Sequence, residues 1–518
     1  MIKIFFMVVI AMLVLVMTSG IKIVKNNQIN QKMVDMEISY AKYKLELAFN
    51  KKNNLDFIAG SIDPTLAASE SPSSLSIPVL LYHGIIEDPN WQPDDTNISL
   101  KDFKEQMLAL KAAGYHTISL EDFSSFLHGE KKLPPKSFLL TFDDGRKDSY
   151  YPADPLLRAL DFSAVMFVIT SRSLGSTKDN FYLDSSEIAR MAKSGRWEIE
   201  SHGKFDHDWY NIDADGTKGH FLSNRLWLAG ENRLETEDEY KKRVTNDLAE
   251  SKKETEAVTG KKVIGFAYPF NDFGQGTENY PDAEKFIKAT VESIYPKAFF
   301  QIWSETFMQN YPGKDKFMVN RIDVNSKLKT SELLSTLDGD KDKTLPYIDD
   351  LSQNNGWMTA WGDTMFKTNE GMQLRNEINS ESGNMTFLEG TYLWENYSVK
   401  TNFKAVGDYN LSILVGIQDS EDYLACDYRS DKVAIIAVNN GQERIVAEKP
   451  GNFLADQLIP AAVTNKGGQI ECSLGSNSIL SVQADPRFIQ GGIGVKTWSG
   501  NDLDGYLLIN RIEVNPIQ

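Results

Sequence analysis

Two adjacent carboxylates, Asp143 and Asp144, close the apolar run Phe138-Leu139-Leu140-Thr141-Phe142 and are followed by Gly145. Two aspartates before a glycine are an ordinary turn signal. Further along, Ser201-His202-Gly203-Lys204-Phe205-Asp206-His207 follows the strand-like Trp197-Glu198-Ile199-Glu200. A carboxylate and two imidazoles at strand ends form a tridentate site for a hydrolytic metal, with coordination positions left for water and substrate. The second cluster therefore moves the first from turn to chemistry.

These residues need elements that hold them at one end of a sheet. Pro78 to Leu81 reads as a strand, and Ser99-Leu100-Lys101-Asp102 opens a helix that turns Phe103, Met107, Leu108 and Leu110 inward and stops at Gly114. Strands follow at His116 to Leu120, Phe138 to Phe142 and Ala164 to Ile169, with a helix near Pro155 to Leu160. Glu239 to Thr259 reads as a helix ended by Gly260, leading to a strand at Val263 to Tyr268. Such alternation predicts an α/β domain with a parallel sheet or barrel. Asp208 to Thr236 is polar and irregular, an insertion beside the second cluster.

With these motifs in order the sequence resembles the polysaccharide deacetylases of the NodB-homology type, carbohydrate esterase family 4. Thr141 to Gly145 resembles the first motif, Ser201 to His207 the second, and Phe266-Ala267-Tyr268-Pro269-Phe270 the third. The resemblance spans roughly Pro78 to Asp338. It implies a distorted (β/α) barrel with fewer than eight regular repeats. It also implies that Asp144, His202 and His207 hold a divalent metal, and that Asp143 is the base taking a proton from the attacking water. The backbone N–H of Phe270 matches the donor to the developing oxyanion. Two imidazoles and a carboxylate favour zinc, and would also accommodate cobalt, nickel or iron.

The sequence departs from the common pattern in two places. Many members take their leaving-group acid from a late Leu-x-His motif, but the last of the six histidines here is His220. Leu80-Leu81-Tyr82-His83-Gly84 instead resembles the early histidine of the biofilm poly-N-acetylglucosamine deacetylases, whose motifs are circularly permuted, and makes His83 the candidate acid. Many members also carry Arg-x-Pro-aromatic-Gly in the third motif. Here both the arginine and the glycine are absent, and Arg321, in Val319-Asn320-Arg321-Ile322-Asp323-Val324, is the candidate to orient the base. Of the other histidines, His116 reads as a strand start, His128 as a polar loop residue, and His220 as a solvated residue of the insertion.

The chain has 518 residues, enough for two or three domains, and a formal net charge of −17. That charge argues against nucleic acid or an anionic membrane surface and suits a neutral or cationic partner, such as a polymer gaining free amines. Ile4 to Ile21 carries no charge, and reads as a cleaved signal peptide or an uncleaved anchor within residues 1–25. An extracytoplasmic protein, membrane-anchored or secreted, follows from either. No cysteine follows that run to carry a lipid anchor. Residues 26–76 read as a stalk with helical rhythm around Met33 to Leu47, then a Ser-rich linker at Ala67 to Ser76.

The deacetylase domain is expected over 77–345 and a second domain over 355–518. After Pro346 helical rhythm gives way to short alternating stretches at Tyr397 to Ala405, Leu411 to Ile417, Val433 to Val438 and Tyr506 to Val514. Asn439-Asn440-Gly441 marks a hairpin, and the pattern predicts an all-β sandwich of jelly-roll or concanavalin-like type. Trp357, Trp361, Trp394 and Trp498 are candidates to stack on sugars, with core packing the weightier reading. Cys426 and Cys472 either pair or remain two buried thiols.

The expected activity is hydrolysis of a carbon–nitrogen bond other than a peptide bond, removing acetyl groups from an N-acetylglucosamine polymer. The alternatives are an O-acetyl esterase on xylan or peptidoglycan, since one site serves esters and amides, and an inactive carbohydrate-binding surface protein.

Overall fold

Seven parallel strands close into a ring. We label them β1 (Val79–Tyr82), β2 (Ser137–Phe142), β3 (Ala164–Val168), β4 (Trp197–Ser201), β5 (Gly265–Ala267), β6 (Lys297–Gln301) and β7 (Met318–Asp323). Each pairs with the next, and β1 pairs on one side with β7 (Leu81 beside Asp323) and on the other with β2 (Tyr82 beside Phe142). These are observations on a computed structural model, which describes residues 28–50, 73–175, 180–301, 306–313, 316–339, 342–367, 369–376, 383–451, 457–499 and 505–517. The signal or anchor reading and the linker before residue 73 lie outside them. No helix among the described residues is long and apolar enough to cross a membrane.

The ring is the distorted (β/α) barrel that the resemblance implies, one of the two parallel arrangements that the alternation predicts. Val79, Leu139, Val165, Phe167, Ala267, Phe299 and Val319 form one buried cluster from six of the strands. Because side chains alternate along a strand, the same series continues from Val79 to His83, from Leu139 to Asp143, and from Val319 to Arg321 and Asp323. Polar groups at the carboxyl ends of the strands thus converge above an apolar plug, as expected of a parallel barrel.

Helix Leu100–Ala112 begins as predicted, with the Ser99 side chain accepting from the Asp102 amide. It buries Gln106, whereas Leu108 stays half-buried. Gln106 can be buried because it accepts from the Tyr82 hydroxyl at 2.8 Å and donates to the Leu328 carbonyl at 2.8 Å. The helix expected near Pro155 starts earlier, at Lys147, and holds both Pro152 and Pro155. Burial of Tyr150, Ala153, Leu156, Leu157 and Leu160 outweighs the missing amide donors. Helix Gln28–Asn50 lies along this element. Met36 and Tyr43 are buried in the barrel's outer core, Arg158 pairs with Glu37, and Lys104 pairs with Glu46.

The C-terminal region is a sandwich of antiparallel sheets. One sheet runs in the order 363–367, 371–375, 506–516, 397–406, 459–466, 469–474, 477–483, with 347–349 on the strand 506–516. The other runs 357–361, 384–388, 492–497, 411–419, 422–428, 432–439, 442–450. The predicted hairpin turns through Asn440 and Gly441 with φ of 47° and 71°. Cys426 and Cys472 are bonded, tying one sheet to the other. Trp357 and Trp394 are buried and Trp361 half-buried, while Trp498 is 51% exposed.

Candidate active site

Asp143 follows β2 directly and is buried, and Arg321 of β7 reaches it through the lumen. The guanidinium donates to Asp143 Oδ1 at 2.6 Å and to Oδ2 at 2.8 Å. This planar, bidentate pairing fixes the carboxylate's orientation as well as its charge. Arg321 also lies over the rings of Phe167 and Phe299, 5.4 and 6.0 Å from their centroids. Burial opposes ionisation of Asp143, but Arg321 outweighs it and holds the carboxyl below its ordinary range. The arginine missing from the third motif thus has a counterpart that reaches the same carboxylate.

Asp144, at φ 73°, turns the chain sharply before Gly145. Asp144, His202 and His207 bring one ligand atom each within 4.8 Å of one another. His202 Nε2 lies 3.6 Å and His207 Nε2 3.3 Å from Asp144 Oδ1. The Nδ1 of His202 is 2.8 Å from the Ala267 carbonyl, and a proton there leaves the lone pair of Nε2 directed toward the cluster. Burial pushes His202 down to about 4, so its imidazole is neutral near pH 7, as a ligand must be. At Asp144 burial is overcome by the hydrogen bond from His207 and by the neighbouring imidazoles, which hold the carboxyl well below its usual range. A neutral imidazole with its second nitrogen anchored, another beside it and an ionised carboxylate suit a divalent cation.

Helix Glu237–Thr259 positions the loop of these histidines. Asp247 accepts from the Lys204 and Phe205 amides at 3.0 and 2.9 Å, and Ser251 donates to the Gly203 carbonyl at 2.9 Å. Gly203 has φ 75°, and a Cβ there would lie 1.8 Å from Asp206 Oδ1. Gly203→Ala is therefore expected to lower stability by ~1–3 kcal/mol through the left-handed backbone alone, more with the collision. Thermal unfolding of the purified variant measures this, and an unchanged melting temperature would contradict it.

His83 follows β1. Its Nδ1 is buried with no hydrogen-bond partner among the described residues, and its imidazole lies within electrostatic reach of Asp143, Asp144 and Asp323. Asp323 is the residue that sequence reasoning passed over. Its Oδ1 is likewise buried with no partner among the described residues, while Oδ2 accepts from Asn325. The signal was available, since Arg321 and Asp323 are two apart on one strand and so share a face.

Phe270 lies in the third motif with φ 57°, and its ring packs 4.6 Å from that of His207. The insertion is more ordered than expected: strands 209–211 and 218–220 pair with Trp209 opposite His220. The His220 ring stacks on Phe270 at 4.5 Å and 6°, and its Nδ1 is 2.6 Å from Asp272 Oδ2. His220 is thus a fixed member of an aromatic shelf beside the metal-type cluster rather than a solvated loop residue. Trp209 (55% exposed) and Phe270 (38% exposed) form its open edge.

A closed barrel with an arginine-clamped aspartate beside an Asp-His-His cluster at its strand ends has the layout of a metal-assisted hydrolytic site. Residues 130–283 match the sequence model of the family described as polysaccharide deacetylase. A Bacillus subtilis (strain 168) protein named provisionally as the polysaccharide deacetylase YxkH is 32% identical over 145 residues, 28% of this chain and 48% of that one. The poly-beta-1,6-N-acetyl-D-glucosamine N-deacetylase of Escherichia coli (strain K12) is 27% identical over 183 residues, 33% of this chain and 27% of that one. This chain therefore spans about half or less of these relatives' length. Among solved structures, a de-N-acetylase from Aggregatibacter actinomycetemcomitans superposes with a TM-score of 0.42 at 22% identity, covering 50% of this chain and 98% of that one.

Proposed function

We propose that the protein is a metal-dependent, extracytoplasmic N-deacetylase that removes acetyl groups from a polymer containing N-acetylglucosamine. The observation that carries this is the Arg321–Asp143 pair set beside Asp144, His202 and His207. Relatives named as poly-beta-1,6-N-acetyl-D-glucosamine N-deacetylases support the polymer class. The uncharged run Ile4 to Ile21 supports export, by cleavage or as an anchor.

Asp144, His202 and His207 would hold the cation, zinc by preference. When bound, it supplies the Lewis acidity that polarises an acetyl carbonyl and acidifies water. Asp143, ionised and held by Arg321, takes the proton of the attacking water. The Phe270 N–H stabilises negative charge on the carbonyl oxygen. His83 gives a proton to the sugar nitrogen as the C–N bond breaks, releasing acetate and a free amine. Asp323 positions the His83 imidazole. Trp209, Phe270 and His220 offer apolar ring faces on which a pyranose can rest.

Acetate release from poly-β-1,6-N-acetylglucosamine by the zinc-loaded protein tests the reading, and a folded, zinc-loaded protein inert toward this polymer and toward chitin oligomers would sink it. His83→Ala is expected to reduce N-acetyl hydrolysis by about 10²-fold or more. The same variant should hydrolyse p-nitrophenyl acetate at near the parent rate, because nitrophenolate leaves without a proton. Equal losses on both substrates would remove His83 from the acid role.

A further inference from the structure

The face of the second sandwich sheet that points away from the sandwich core divides in two. At one end Phe387 and Leu414 share a buried cluster with Phe307 and Tyr311, from the segment between β6 and β7, and Tyr423, Ala425 and Ile436 carry that cluster to the edge of the other end. Gly492 allows this seat, since a Cβ there would lie 2.5 Å from the Phe307 ring. At the other end the same face opens into a cavity of about 560 Å³ lined by polar and aromatic side chains, a size typical of small-ligand sites.

The floor of this cavity is built around Asp427, which is 1% exposed. Its carboxylate accepts from Ser412 Oγ at 2.9 Å, from Arg429 Nε at 2.5 Å and from the Asn410 amide. Asn410 Oδ1 in turn accepts from the Trp498 backbone N–H at 2.6 Å, which ties the half-exposed indole to the buried carboxylate. Lys496 donates to the Tyr423 hydroxyl at 3.0 Å and faces Glu443 at 3.8 Å. Four carboxylates (Asp408, Asp427, Asp431 and Glu443) line the cavity against two cations, Arg429 and Lys496. Each cation lies against a carboxylate, Arg429 on Asp427 and Lys496 by Glu443. The balance is negative, beside an exposed indole.

We infer that this cavity is a second carbohydrate site, taking a glucosamine-containing oligosaccharide in its free-amine form. A pyranose face stacks on Trp498, and its ammonium is drawn by the acidic lining and the indole face. An acetylated residue has no charge to offer and is bound less well. The choice of polymer rests on the proposed function; the site itself does not. Binding here would keep the enzyme on stretches it has already deacetylated.

The test is calorimetric titration of the full chain, carrying Asp143→Asn to prevent turnover, with a β-1,6-linked glucosamine hexamer and with its fully N-acetylated counterpart. The free-amine hexamer should bind more tightly, and Trp498→Ala and Glu443→Gln should each weaken it by about tenfold. His202→Ala, in the barrel, should leave this binding in place. In the Asp143 parent, Trp498→Ala should leave acetate release from a short N-acetylglucosamine oligomer unchanged. Binding indifferent to both sandwich substitutions, lost with His202→Ala, absent, or equal for the two hexamers overturns the inference. Binding that behaves as expected in a protein that releases no acetate would keep the site and discard the deacetylase reading.

Discussion

Asp143→Asn should lower kcat for acetate release by about 10²–10⁴-fold. The carboxylate is the group that can receive the proton of the attacking water, and an amide of nearly the same shape cannot. The substitution also strands Arg321, whose guanidinium is 1% exposed and gives two of its donors to this carboxylate. A buried charge that loses its partner destabilises by about 3–5 kcal/mol, so the variant should also melt earlier. Steady-state kinetics on purified, folded, zinc-loaded protein separates the two effects. A kcat within a few-fold of the parent would show that another group takes the proton.

Arg321→Ala should be as damaging from the opposite side. It leaves Asp143 buried without its counter-charge, with an expected loss of about 3–5 kcal/mol at neutral pH. The dependence on pH has a definite sign. Arg321 lowers the carboxyl of Asp143 in the folded state, so the pair's contribution is present above the ordinary carboxylate pKa and lost as pH falls through the depressed value. The stability gap between Arg321→Ala and the parent should therefore narrow on acidification. The acid limb of kcat/KM should move to higher pH in the variant, because its base protonates more readily. Adding Arg321→Ala to Asp143→Asn should cost no further activity, since the arginine acts through the aspartate. Additive losses would separate them.

Much of the site is legible along the chain because strand ends are local. A run of apolar residues that stops at Asp143 announces both the strand and the place of the carboxylate, and His202 and His207 follow the next such run but one. Arg321 could be named because the third motif lacks the arginine that the resemblance leads one to expect, and this strand supplies one. Asp323 stands two places further on, on the same face of that strand. The aromatic shelf was not legible: His220 meets Phe270 and Asp272 across some fifty residues, and only the hairpin register puts Trp209 opposite it. Helical rhythm at Met33 to Leu47 shows that one face is apolar, but not that it lies on the barrel. Of four tryptophans in the sandwich, composition could not say that Trp498 alone is largely open to solvent.

The closure of the ring by β1 has a consequence for how this chain can be divided. The segment matching the family model begins at residue 130, yet β1 sits between β7 and β2 and ends at His83. A chain begun at 130 would retain Asp143, Asp144 and both metal-type histidines. It would, however, expose the flanks of β2 and β7, two unpaired backbone rows ready to recruit another chain. The strand that closes the architecture and the proposed proton donor thus lie on one segment: a cut that removes the histidine also opens the ring.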